Sequence, residues 1–214
     1  MKRIDQLTRS KINEFSIPNI TVLVGNSKSI LYKKDKVWYG LDKARESIVK
    51  ERKAWLVEGY NDVIAWQTHG ILNTIASCGT AIALRQIKIL RKICDTVVFC
   101  MDPDAAGIRS MLKYIPIFLE EGFRVETLIL DVDPDEFVRT HKKSLILEPD
   151  FFTTTIHEFL EDGFKFLIEN KIKTQKGVEK GRATKSLTET ISKIKDDAIQ
   201  LIYSEWLAKE SGVK

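Results

Sequence analysis

From Leu41 onward the chain alternates between two hydrophobic periods. "LDKARESIVKER" (41–52) places Leu41, Ala44 and Ile48 on one helical stripe. "AWLVE" (54–58) is a short apolar run stopped by an acid. "YNDVIAWQTHG" (60–70) reads as a helix closed by Gly70. "NTIAS" (73–77) reads as a strand, and "AIALRQIKILRKI" (81–93) as an amphipathic helix with its cations late, where the helix dipole favours them. "TVVFCM" (96–101) is a strand, "DAAGIRSMLKYIPIFLEEG" (104–122) a helix and "RVETLIL" (124–130) another strand. Strands that alternate with helices predict an α/β fold, a parallel sheet with helices on both faces. Beyond about residue 140 the strand pattern stops. "FTTTIHEFLEDGFKFLIENKI", "KSLTETISKIKDD" and "AIQLIYSEWLAKES" read as helices, with the polar "KTQKGVEKGRAT" (173–184) between the first two as a mobile linker. A small C-terminal helical subdomain is expected there. Before Leu41, "ITVLVG" and "ILYKKDKVWYG" look like short strands, with a turn at Gly25-Asn26.

Composition narrows the picture only a little. The 214 residues suffice for one sizeable domain with a helical appendage, and 43% hydrophobic with 30% charged residues is a globular composition. No apolar run reaches membrane-spanning length, and "MKRIDQLTRSKINEF" lacks the apolar core of a signal peptide, so a cytoplasmic protein with no membrane partner is expected. A net charge of +4 permits nucleic-acid binding without demanding it. Cys78, Cys94 and Cys100 include no CxxC pair and sit in apolar surroundings, which predicts reduced core thiols and no zinc site. His69, His141 and His157 are too scattered for a ligand set. Trp38, Trp55, Trp66 and Trp206 are expected in packing roles. "YKKDK" (32–36) and the helix bearing Arg85, Arg91 and Lys92 read as wet basic surface.

The acids carry more information. "AWLVE" ends in Glu58, with Asp62 one helical turn on. "TVVFCM" runs into Asp102 and Asp104. "RVETLIL" runs into Asp131, Asp133 and Asp135. In an open parallel sheet, functional groups gather outside the carboxyl ends of the strands. If these strands are neighbours, five or more carboxylates converge there. Like charges at close range raise one another's pKa, and a hard divalent cation relieves them. Asp102 and Asp104, two apart in an extended segment, can point to one face and share such a cation. Taken singly, Asp104 would serve equally as a helix N-cap, and "DPDEF" as a turn before a helix.

"LVEGYNDVIAWQTHGI", "IASCGTAIALRQIKIL", "VVFCMDPDAAGIRS" and "DVDPDEFVRTH" follow in that order at close spacing. Together they resemble the TOPRIM domain of bacterial DNA primase, the enzyme family that makes RNA primers for replication. "VWYGLDKARESI" matches the segment before the first motif, and "FKFLIENKI", "GRAT" and "LAKESGV" match the helical end of the primase polymerase core. The resemblance runs from about Gly25 to the C-terminus. It implies a TOPRIM-type sheet over 41–145, a remnant of the preceding core subdomain over 1–40 and the helical subdomain over 146–214.

The resemblance also implies roles. Glu58 and Asp62 would serve catalysis. Glu58, Asp102, Asp104, Asp133 and Asp135 would hold Mg²⁺ or Mn²⁺. Lys34, Ser77, Gly79 and Thr80 would meet the nucleotide or template. The chemistry would be nucleotidyl transfer from ribonucleoside triphosphates on a single-stranded DNA template, in the nucleoid. The alternatives are TOPRIM-type strand cleavage, as in nucleases and topoisomerases, or a non-catalytic metal- and nucleic-acid-binding piece. There are departures from the family pattern. Leu23 and Val24 stand where primases have a basic-aromatic pair before the asparagine-serine matched by Asn26-Ser27. Pro103 stands where the family has glycine, removing an amide donor. The family's zinc-binding domain, most of its N-terminal core half and the C-terminal domain that meets the replicative helicase have no counterpart here. A fragment or a reduced relative is expected.

Overall fold

The computed structural model describes residues 37–77, 81–141 and 156–212, all within one compact unit that starts at Lys34. A six-stranded sheet forms its middle, in the order β1-β3-β2-β4-β5-β6. The strands are β1 (Trp38–Tyr39), β2 (Lys53–Val57), β3 (Thr74–Ser77), β4 (Thr96–Phe99), β5 (Arg124–Thr127) and β6 (Glu161–Asp162). The four inner strands are parallel, as the alternation predicts, and each edge is closed by a two-residue antiparallel strand. The helices between them are α1 (Leu41–Glu51), α2 (Tyr60–Thr68), α3 (Leu84–Arg91), α4 (Ala105–Glu120) and α5 (Pro134–Thr140).

Both faces of the sheet are covered, and two cores result. On one face Leu56, Ile75, Val97 and Phe99 pack against α1, α3 and α4. On the other, Trp55, Val57, Val98 and Cys100 meet α2 and α5. This explains why β2 and β4 are unbroken apolar runs: each is buried on both sides. Cys94 and Cys100 are buried free thiols, as expected, and Trp38, Trp55 and Trp66 are core residues. Cys78 lies outside the described residues. Among those residues no helix is long and apolar enough to cross a membrane.

The C-terminal segment departs from the helical reading in two places. "FTTTIHEFLEDGFKFLIENKI" is not one helix. Its described part is a 3₁₀ turn (Ile156–Phe159), then β6, then α6 (Gly163–Ile168) and a π-helical turn (Glu169–Lys173). Asp162 ends the strand by capping α6, its carboxylate accepting the amide of Phe164 at 2.7 Å. Gly163 allows the close approach: a Cβ there would lie 2.7 Å from Val125 Cγ1. The polar linker is also helical. Residues from Gly177 belong to α7 (Gly177–Lys193), followed by α8 (Asp197–Ser211). Glycines 177 and 181 suggested a break, but Leu187, Thr190 and Ile191 bury one stripe, and the Lys180 ammonium donates to the Glu210 carbonyl of α8 at 2.8 Å. α6, α7 and α8 add to the same core as α1, α3 and α4. "ITVLVG" and most of "ILYKKDKVWYG" lie outside the described residues; the latter's end forms β1.

Candidate metal and catalytic centre

β2 runs through α2 to β3 on one side, whereas β4 and β5 lie on its other side. The crossovers therefore reverse direction between β2 and β4, and α2 and α4 fall on opposite faces. A crevice opens at such a switch point, outside the carboxyl ends of the strands. Glu58 follows β2 directly, and Asp102 follows β4. Val57 of β2 continues into Glu58 while the Cys100 amide donates to the Leu56 carbonyl at 2.9 Å, so the two strands stay paired up to the crevice.

Four carboxylates press on Asp102. Burial first, and then the charges of Glu58, Asp62, Asp133 and Asp104, push its pKa up to about 6. Glu58 is raised by burial and then by Asp104 and Asp62, though its carboxylate accepts the Asp102 amide. Asp62 is raised by burial and by Asp133, against the Gly59 amide, which donates to it at 2.8 Å. Asp104 differs. It is exposed and caps α4, accepting the amides of Ala106 at 2.7 Å and Gly107 at 2.8 Å, and these bonds hold its carboxyl below the usual range. Asp104 therefore fills both parts: N-cap, and member of the acidic group.

Asp133 is brought in by α5, whose N-cap it is. The anchor is Trp66, which sequence reasoning treats only as packing. Its indole Nε1 donates to the Pro134 carbonyl at 2.7 Å, tying the start of α5 to α2. The sequence signal was a tryptophan on the apolar side of α2, too general to foretell this bond. Asp135 follows Pro134 in the first turn of α5. It is half-buried and pairs with Arg139 one turn along α5; its place in the metal set is what the family resemblance implies. Removing the Trp66 donor should show its worth. Trp66→Phe removes a buried hydrogen bond while the Pro134 carbonyl keeps its helical partner, and is expected to cost about 0.5–1.5 kcal/mol in urea unfolding, and to blunt stabilisation by Mn²⁺.

A cleft of about 250 Å³ adjoins Glu58, lined by Tyr60, Ser77, Ile82, Met101 and Tyr114 among others. Tyr60 packs on Tyr39 with ring centroids 4.5 Å apart, and the Tyr114 hydroxyl accepts the Ile82 amide at 3.0 Å. Ser77 and Glu58 line the same cleft. Lys34, Gly79 and Thr80 lie outside the described residues.

The donor set is all oxygen, and no described cation is among the groups that set the pKa values of Glu58, Asp62 and Asp102, apart from the local backbone bonds. That suits a hard divalent ion. No group of three acids, histidines or cysteines among the described residues is close enough to enclose a metal by itself. Magnesium commonly sits this way, on one or two carboxylates, with water and substrate oxygens filling its shell. The electrostatics predict a pH dependence in chelator. Asp102 has a higher pKa folded than unfolded, so the folded chain takes up the extra proton between about pH 4 and 6, and stability falls as pH rises through that window. Screening limits the effect of this partly covered group to about 1 kcal/mol. Asp102→Asn should raise the melting temperature by about 2–4 °C at pH 8 and leave it unchanged at pH 4.

Comparison with known proteins fits this geometry. Residues 55–138 match the model of a family described as Toprim-like. The chain's relatives are DNA primases, as the four motifs suggest. A DNA primase of Halalkalibacterium halodurans is 33% identical over 120 residues, covering 55% of this chain and 20% of the relative. The zinc-binding and RNA polymerase domains of the Aquifex aeolicus primase superpose with a TM-score of 0.69 at 27% identity, over 88% of this chain and 44% of that one. A DnaG primase catalytic domain bound to single-stranded DNA shares the fold, with a TM-score of 0.70 at 22% identity over 87% of this chain and 59% of the other. The chain spans about a fifth of the length of the curated relative.

Proposed function

We propose that this chain is the catalytic Toprim-like part of a DNA primase, joining ribonucleoside triphosphates into an RNA primer on a single-stranded DNA template. The observation that carries the proposal is the gathering of Glu58, Asp62, Asp102, Asp104 and Asp133 at the switch point, with Asp102 raised to about 6. A cluster of repelling acids is costly to keep without a cation. Asp102 and Asp133, with Glu58 and Asp104 beside them, would hold Mg²⁺ or Mn²⁺. Such an ion, when bound, neutralises triphosphate oxygens and stabilises the charge that develops at the reacting phosphorus.

The chain's own residues do the rest. Glu58, with a pKa raised by burial, is suited to take the proton from a ribose 3′-hydroxyl as that oxygen attacks. Asp62, fixed by the Gly59 amide, keeps the charge behind Glu58 in place. Asp104, fixed by two amides of α4, sets the path of the Asp102–Asp104 turn. Ser77, and with it Gly79, Thr80 and Lys34, is assigned to the nucleotide and template side by its place in the family motifs. The template assignment draws support from the primase fold that binds single-stranded DNA. Work on a template would put the chain in the cytoplasmic nucleoid, in the company of a replicative helicase.

The test is turnover. With single-stranded DNA, labelled ribonucleotides and Mn²⁺, the chain is expected to form acid-insoluble RNA. With excess chelator it should form none. Incorporation that persists in chelator, or none with Mn²⁺ present, would count against the proposal.

A further inference from the structure

A second cleft, of about 880 Å³, lies at the other end of the sheet from the acids. Arg124, the first residue of β5, lines it, together with Lys92 just after α3 and Lys195 in the connector between α7 and α8. All three are exposed, and none forms an ion pair with a described carboxylate. The three acids of the same cleft are already engaged. Glu121 faces Lys88 at 3.9 Å. Asp162 caps α6 and accepts the Tyr203 hydroxyl at 3.0 Å. Asp196 caps α8, accepting the amides of Ala198 and Ile199 at 3.0 and 3.1 Å. The rim therefore presents unmatched positive charge.

The floor is apolar and mainly aliphatic. Leu119, Ile194, Ile199 and Ile202 form it, with Ile202 44% exposed. Two of the rings nearby are buried and the third, half-buried, carries a cation. Phe123 and Tyr203 are 4% and 5% exposed, Tyr203 is stacked on Phe164 at 4.4 Å, and Trp206 carries the Lys165 ammonium 4.7 Å from its ring centre. A strand of nucleic acid without base pairing gains most of its sequence-tolerant affinity by stacking on open aromatic faces. This cleft offers a greasy floor and separate point charges instead. Such a floor suits one bulky apolar side chain, and such a rim suits carboxylates on either side of it.

We propose that the cleft between α3, β5 and α8 docks an acidic peptide segment carrying a bulky apolar side chain. The site is separate from the carboxylate centre and does not depend on the nucleotidyl-transfer reading. Fluorescence anisotropy at 50 mM salt tests it, using the full chain and four labelled probes. These are a decapeptide of aspartates with one Phe and one Leu, the same peptide with Ser for Phe and Leu, the same with Asn for Asp, and an oligo-dT of ten nucleotides. The acidic-apolar peptide is expected to bind at least tenfold more tightly than the other three. Lys92→Glu, Arg124→Glu and Lys195→Glu combined should weaken it at least tenfold, and Ile202→Ser about fivefold. Should the triple variant melt early, Arg124→Ala and Lys195→Ala read the same effect singly, about threefold each. Equal binding of the serine peptide, preferential binding of oligo-dT, or binding indifferent to these substitutions would overturn the proposal, as would no binding of the acidic-apolar peptide.

Discussion

Glu58→Gln is expected to lower ribonucleotide incorporation by about 10²–10⁴-fold, the usual contribution of a placed acid–base group. The fold should be untouched. Glu58 lies at the end of β2 rather than in the core, and glutamine keeps the length of the side chain and its capacity to accept the Asp102 amide. Glutamine cannot take a proton from an attacking hydroxyl, and it brings no charge to a cation. It also relieves repulsion on Asp102, so the melting temperature in chelator should stay level or rise. Low activity with an intact melt separates a chemical role from a structural one. A variant within threefold of the parent chain would remove Glu58 from the reaction.

Gly107→Ala is expected to act through the backbone. An added Cβ would lie 2.1 Å from the Asp102 carbonyl oxygen and 3.1 Å from its carbonyl carbon. Neither is the end of a flexible side chain, so the turn between β4 and α4 must move. Gly107 also supplies one of the two amides that hold Asp104. The substitution should therefore cost at least about 2 kcal/mol, the range of overpacked cores, and displace both aspartates at once. Urea unfolding reads the first effect. The second appears as loss of Mn²⁺-induced stabilisation, larger than in Asp102→Asn alone, because two acids move rather than one. An alanine variant that unfolds with the parent would show that α4 can slide away from Asp102 without cost.

These two residues show what the sequence made legible and what it hid. The strand ends at Glu58 and Asp102 could be read directly, because buried strands leave unbroken apolar runs and a carboxylate after such a run stands out. Convergence followed from the strand–helix alternation, which the reversal between β2 and β4 realises. The reach of Asp133 was legible as an acid near a strand end. The Trp66 indole that anchors it was not, since hydrophobic period cannot tell a ring that only packs from one that also donates a bond. The two carboxylates of "DPDEF" look equivalent in sequence; in the fold Asp133 is the N-cap of α5 and Asp135 pairs with Arg139. The same limit explains the C-terminal segment. Period alone did not reveal that Asp162 would end a strand and cap a helix, or that "GVEKGRAT" would form the exposed first turns of a helix whose buried stripe, Leu187, Thr190 and Ile191, comes later.

The most direct measurement is a sequencing gel. An end-labelled RNA primer annealed to a longer single-stranded DNA template is incubated with the chain, ribonucleotides and Mn²⁺, beside the Glu58→Gln variant. The account predicts a ladder of lengthened primer with the parent chain and none with the variant. A primer or template shortened by the parent chain would instead make the acids a strand-cleaving centre. A primer left at its original length would contradict the claim that this chain carries nucleotidyl transfer.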